Sequence, residues 1–220
     1  MLAYERAYDS SRITSAEIDY IECHATGTPL GDKVELDSME MFFAAPENAK
    51  ENKTKPLIGS VKSNLGHMLT AAGMGGMTKV ILALQNGVIP ATVGIEDVMT
   101  SKNEGVSADQ IVRQAADWPH KRQQRSAAVS AFGFGGTNAH VVFEAANVEN
   151  NHAKTKQQKK PVRKIQSPAA IIGMEAIFGG CNGLHEFYQT IYDNKQHFRK
   201  LPPERWKGLE QHPELSQVTE

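Results

Sequence analysis

Hydrophobic residues in this chain come in short runs broken by polar and glycine-rich loops. Leu2 to Tyr8 carries apolar residues at helical spacing with no capping residue ahead of it, which predicts the back half of a helix and further chain before it. Ile18 to Cys23 alternates and holds β-formers, so a strand is expected. It runs into His24-Ala-Thr-Gly-Thr-Pro-Leu-Gly31, a loop by composition. Asp32 and Glu35 have capping-box spacing, predicting a helix from Asp32 with Leu36, Met39 and Phe43 on one face. A polar stretch, 45–55, is expected to be a surface loop.

The second half of the pattern repeats the first. Leu57 to Val61 predicts a buried strand, then a polar turn delivers Lys62, Asn64 and His67 ahead of a small-residue helix from Thr70 to Gln85. Gly73, Gly75 and Gly76 inside that helix cost about 1 kcal/mol each relative to alanine, which predicts burial against a closely approaching backbone. Ile89-Pro-Ala-Thr and Ala116-Asp-Trp-Pro119 bracket a polar segment. Ser126 to Phe132 predicts a buried strand, Gly133 to Asn138 a tight loop, and Ala139 to Glu144 the return strand of a hairpin. Strand, loop and helix, twice over and closed by a hairpin, indicate an α/β layered domain.

Beyond Asn147 the composition changes to Lys, Gln, Asn and Pro. Lys154, Lys156, Lys159, Lys160, Arg163 and Lys164 cluster without apolar periodicity, so 147–167 reads as a solvated linker. After it, Ala169 to Met174 predicts a strand and Ile177 to Asn182 a loop. A helix follows with Leu184, Phe187, Tyr188 and Ile191 on one face. These elements read as the opening of a second domain, giving the division 1–146, 147–167 and 168–220.

With 220 residues, 40% apolar and 22% charged, the composition is that of a globular protein of one ordinary domain and some extra. A net charge of -1 argues against nucleic acid as the main partner. Two cysteines form no disulfide framework, and no run approaches the roughly 18 apolar residues of a membrane span. A soluble, cytoplasmic protein with no membrane partner is the expectation.

The chemistry lies in two histidines, each at the carboxyl end of a predicted strand. Ligand sites of open α/β sheets form beyond those ends, so His24 and His67 can meet in one crevice. One such histidine alone is more often a turn residue satisfied by backbone groups; a second of the same kind tips the balance. His67, set ahead of a helix, is expected to be held neutral by the macrodipole and able to donate to a developing oxyanion. The glycine loop from Gly133 to Asn138 leaves its strand on the same side and offers backbone N–H groups.

His24-Ala-Thr-Gly-Thr with Gly31-Asp32, Lys62-Ser-Asn-Leu-Gly-His67 and Phe132-Gly-Phe-Gly-Gly-Thr-Asn138 together resemble the β-ketoacyl synthases of fatty-acid and polyketide biosynthesis. The resemblance covers residues 1–145, the C-terminal half of a thiolase-like layered fold. Residues 168–206 resemble the opening strand and helix of a second thiolase-like domain, as in a chain-length factor, an arrangement similar to that of polyunsaturated fatty acid synthases. The resemblance implies that His24 and His67 are catalytic histidines and that Lys62 positions the site electrostatically. It implies that Phe134 is the gating residue whose backbone N–H helps form an oxyanion hole. Thr26, Thr28, Phe132 and Gly135 would bind the phosphopantetheine arm that carries acyl and malonyl thioesters. It further implies an acyl carrier protein as partner, neighbouring domains of a multienzyme chain, a homodimer or a pseudo-dimer with a chain-length-factor domain, and no bound cofactor or metal.

The nucleophilic cysteine of that family belongs to the other half of the fold. Cys23 faces away from the side His24 uses, because neighbouring strand residues point oppositely, and Cys181 lies beyond the linker. The chain alone is therefore expected to lack turnover. Ala25 stands where many members have glycine, and Gly179-Gly180 replaces a more usual Pro-Gly. Rival readings are weaker. A phosphate loop at Gly133-Phe-Gly-Gly should open a helix but here opens a strand. A zinc site at the two histidines lacks further ligands at metal spacing. A non-catalytic or decarboxylase-only ketosynthase-like protein with a dimerisation role is the remaining alternative.

Overall fold

The first helix, α1 (Leu2–Ser10), leads to strand β1 (Tyr20–Glu22), then α2 (Pro29–Phe43) and strand β2 (Leu57–Gly59). The structure is a computed structural model and describes residues 1–11, 13–43, 55–119, 124–146 and 171–199. A single short turn of helix, α3 (Lys62–Leu65), precedes the long α4 (Ala72–Asn86). Two-residue strands β3 (Val88–Ile89) and β4 (Ala116–Asp117) pair antiparallel, closing off the polar segment between them. The hairpin β5 (Ser126–Phe132) and β6 (Asn138–Glu144) follows, and its first strand matches the expected span residue for residue.

Strand order in the main sheet is β2-β1-β5-β6, with β1 parallel to both β2 and β5 and only β6 antiparallel. Glu22 is level with Gly59 on one side and Val129 on the other, so β1 and β2 end together and their following loops leave from one edge. A central parallel strand is covered on both faces, and all three residues of β1 are buried. On one face Ile21 and Cys23 pack with Tyr4, Met39 and Phe42 from α1 and α2. On the other Tyr20 packs with Val80, Ala83 and Trp118. The result is the layered α/β arrangement that the element order predicts.

Several local expectations give way to tertiary demands. The second helix starts at Pro29, where a missing N–H is harmless in the first turn, and not at Asp32. The expected capping box does not form: Asp32 Oδ1 accepts from the Gly27 N–H at 3.2 Å, while Glu35 turns inward to the His24 and Ala25 N–H groups. The small-residue helix begins at Ala72 after a 3-10 turn, Leu69–Ala71. Its glycines admit side chains and not a backbone. A Cβ on Gly76 would lie 3.0 Å from Glu22 Cγ, and one on Gly75 2.7 Å from Met68 Cε.

Residues 171–176 form no strand, and Ile172 is 98% exposed. Where a loop is expected, β7 (Ile177–Phe178) and β8 (Cys181–Asn182) make a small hairpin, followed by α5 (Leu184–Tyr192) with the predicted apolar face. That face is covered by the first part of the chain: Phe187 and Ile191 pack with Val61, Leu65 and Leu82. The expected linker 147–167 with its basic residues, the 169–170 start of the expected strand, the 45–54 part of the expected surface loop, and 201–206 lie outside the described residues.

Candidate active site at the two histidines

β1 and β2 end at the same level, so the loops after them are neighbours, and each delivers an imidazole. The His24 and His67 ring centroids are 5.6 Å apart with planes at 88°. His24 is half-buried and His67 exposed at the mouth. Phe132, from the end of β5, sits with its ring 5.5 Å from His24 and forms the third wall. Residues from three separate motifs thus converge on one crevice.

His24 is held neutral. Burial pulls its pKa down to about 4, and the positive charge of Lys62 and the neighbouring His67 push in the same direction. Its Nδ1 is buried with no hydrogen-bond partner among the described residues. His67 stands five residues before α4 begins at Ala72, with the 3-10 turn Leu69–Ala71 between them.

Lys62 is 8% exposed. Burial lowers its pKa from the ordinary lysine value, and the carboxylates of Glu22 and then Glu35 oppose that shift. Asn64 is fully buried and holds the turn from the far side: its Nδ2 donates to Lys195 O at 2.9 Å, and the His197 N–H donates to Asn64 O at 2.8 Å. Next along the turn, Gly66 has φ +79, and a Cβ there would touch the Phe198 ring at 3.5 Å.

The Thr26 and Thr28 hydroxyls lie 3.0 Å from each other at the exposed end of the loop after β1. Gly135 has φ +75 with nothing within 4 Å of a built Cβ, in a 3-10 turn, Phe134–Gly136, closed by the Gly133 N–H to Thr137 O bond at 2.9 Å. A cavity of about 610 Å³ opens beside the crevice, lined by Ala25, Thr26, Glu35, Lys62 and Phe198 among others. Neither histidine lines it, so it adjoins the paired rings through Ala25 and Lys62 and does not contain them.

Three residues of this site escape sequence reasoning. Glu35 accepts the His24 and Ala25 N–H groups, each at 2.8 Å, and burial raises its carboxyl to about 7. Glu22 and Lys79 form a fully buried ion pair at 3.0 Å beneath the loops. Their signals are slight: an acid in the alternating run before His24, and a lysine within the small-residue helix. Cys23 is a core residue, its Sγ 4.0 Å from Met39 Sδ, and burial raises its thiol well above the ordinary value. Cys181 is buried beside Thr190, 3.3 Å away. Among the described residues no group of three or more His, Cys, Asp or Glu could hold a metal ion.

Two protein families match. The beta-ketoacyl synthase C-terminal domain covers residues 1–96, and the ketoacyl-synthetase C-terminal extension covers 108–196. A phenolphthiocerol/phthiocerol polyketide synthase of Mycobacterium tuberculosis is 42% identical over 162 residues, 74% of this chain and 7% of that protein. A polyunsaturated fatty acid synthase of Thraustochytrium sp. is 39% identical over 208 residues, 92% of this chain and 10% of that protein. Among solved structures, the PfaC keto synthase–chain length factor is 46% identical and aligns with a TM-score of 0.62, covering 98% of this chain and 22% of that one. Ketosynthase twelve of the bacillaene polyketide synthase from Bacillus amyloliquefaciens gives 33% and 0.54, covering 65% and 25%. The chain therefore spans a tenth or less of these curated relatives.

Proposed function

The chain belongs to the β-ketoacyl synthase family, with its thiolase-like α/β fold, and we propose that His24 and His67 are the paired hydrogen-bond donors of a decarboxylative Claisen condensation. The observation that carries this reading is the near-perpendicular pair of imidazoles at 5.6 Å, one of them neutral by burial. Two rings at that spacing can both donate to a single oxygen placed between them.

The substrate is a malonyl thioester on the phosphopantetheine arm of an acyl carrier protein. As carbon dioxide leaves, the electrons of the breaking C–C bond move to the thioester oxygen, and that enolate oxygen accepts a hydrogen bond from each ring. The α-carbon then attacks an acyl thioester held on a cysteine of the complete domain, and the cysteine thiolate departs. Cys23 and Cys181 are too deeply buried for that part. Lys62 supplies positive potential behind the rings, and Phe132, beside the His24 ring, flanks the phosphopantetheine arm. Thr26 and Thr28 receive the arm's amides, Gly135 leaves space for it, and Phe134 offers its backbone N–H to the acyl oxyanion.

In this reading residues 1–146 are the C-terminal half of one ketosynthase domain, 147–167 a linker, and 168–220 the opening of a chain-length-factor-like domain with which it pairs. No helix among the described residues is long and apolar enough to cross a membrane, and the reaction is assigned to the cytoplasm beside a carrier protein.

The test is carbon dioxide release from malonyl carrier protein by the complete ketosynthase. His67→Ala should lower it about 10²–10³-fold, the loss typical of one oxyanion donor, while acylation of the cysteine survives. Carbon dioxide release at the parental rate would overturn the assignment.

A further inference from the structure

We infer that the buried Glu22–Lys79 pair is the positioning unit of the two-histidine site, one carboxylate fixing the three segments that carry His24, Lys62 and His67. Glu22 is 1% exposed and stands two residues before His24. Its Oε1 accepts the N–H of Val61, the residue before Lys62, at 2.5 Å. Its Oε2 accepts the Tyr20 hydroxyl at 2.7 Å and lies 3.0 Å from Lys79 Nζ on α4, the helix to which the His67 loop leads.

The helix comes this close at Gly76, where a Cβ would stand 3.0 Å from Glu22 Cγ, so any side chain there would press on the carboxylate's stem. Lys79 is 0% exposed and has no aligned hydrogen-bond acceptor among the described residues. Its partners are the Glu22 charge and the Tyr20 ring, whose centroid is 5.5 Å from Nζ. A lysine so placed holds the carboxylate rather than a distant surface group.

Burying two charges is a poor route to stability, since an apolar pair of similar volume is often as stable or more so. A fixed anion under the site does what an apolar pair does not. It pins the Val61 N–H, and with it the start of the Lys62 turn. It is also the foremost charge opposing the loss of the Lys62 proton on burial. The pair touches no reacting atom and acts through the three residues above it.

The catalytic consequence rests on the condensing-enzyme reading; the geometric one does not. The variants are Glu22→Asp, which keeps the charge but withdraws it by one methylene, and the uncharged double variant Glu22→Gln/Lys79→Met, both in the complete ketosynthase. In the double variant we expect the melting temperature to stay near parental. Carbon dioxide release should fall about 10²-fold, as for a displacement of about 1 Å, with KM within about 3-fold. The alkaline limb of its pH profile should move to lower pH as Lys62 loses its neighbouring anion. Glu22→Asp should lose rate with the profile kept. Parental rate and profile in both variants would overturn the inference. A parental enzyme that releases no carbon dioxide would instead sink the condensing reading. Crystal structures of the two variants would then decide: an imidazole spacing widened by about 1 Å supports the pair's role, and an unchanged one overturns it.

Discussion

Glu35 and His24 are joined through the backbone: the buried carboxylate accepts the His24 N–H at 2.8 Å and the Ala25 N–H at the same distance. The loop that carries the first imidazole is thus anchored on a side chain of α2. The anchor is a titrating one, because burial raises Glu35 to about 7, against the pull of those two N–H bonds and of Lys62.

A raised carboxyl contributes stability that is fully present below its unfolded value, near 4.5, and is lost as pH rises through about 7. Glu35→Gln removes that titration and leaves one of the two N–H groups facing an NH₂, at a cost of about 1–3 kcal/mol. The parental advantage over the variant should therefore be larger at pH 5 than at pH 8. Thermal melts at the two values check it; an equal gap at both would contradict the assignment of the charge.

His24 should resist protonation down to about pH 4. Its neutral form contributes stability present above the unfolded value near 6.5 and lost as pH falls through about 4. Lys62→Met removes one positive neighbour but not the burial, which is the larger cause. The midpoint should rise in the variant yet stay below 6.5. A two-dimensional NMR titration of the ring protons measures this directly.

Much of the frame is legible in the chain. Ser126 to Phe132 is apolar enough, and closely enough followed by a glycine turn, to declare its strand, and the two histidine motifs are placed by the strands that end in them. The deeper charges are not legible. Glu22 sits in an alternating run that suggests one wet face, yet β1 has strands on either side and helices on both faces, so no face is wet. Glu35 has the spacing of a cap, and only the fold shows that its carboxylate is needed at the loop of His24 and Ala25. Local spacing proposes a partner; burial chooses among partners.

Ala25 has φ +28, a backbone region that L-residues enter at a cost of about 1–2 kcal/mol. Ala25→Gly relieves that strain but adds about 0.4–1 kcal/mol of unfolded-state entropy. The net expectation is a gain of about 0.5–1 kcal/mol, read from denaturant melts. Destabilisation would mean that the methyl packs more usefully than its φ suggests.

Gly76→Ala sets two effects against each other. Helix propensity favours alanine by about 1 kcal/mol. The new Cβ would stand 3.0 Å from Glu22 Cγ and 3.3 Å from Val129 Cγ1, and such overpacking typically costs about 1–3 kcal/mol. We expect a net loss of about 1 kcal/mol in a denaturant melt. A gain would show that β1 and α4 can part without penalty.

Asn64 fastens the stretch of chain after α5 through main-chain groups of residues 195 and 197. Backbone stitching is blind to side-chain identity but not to length. Position 195 can therefore accept other side chains, whereas inserting or deleting one residue between Tyr192 and Lys195 would slip both stitches out of step with the lysine turn. That stretch is open in spelling and closed in metre.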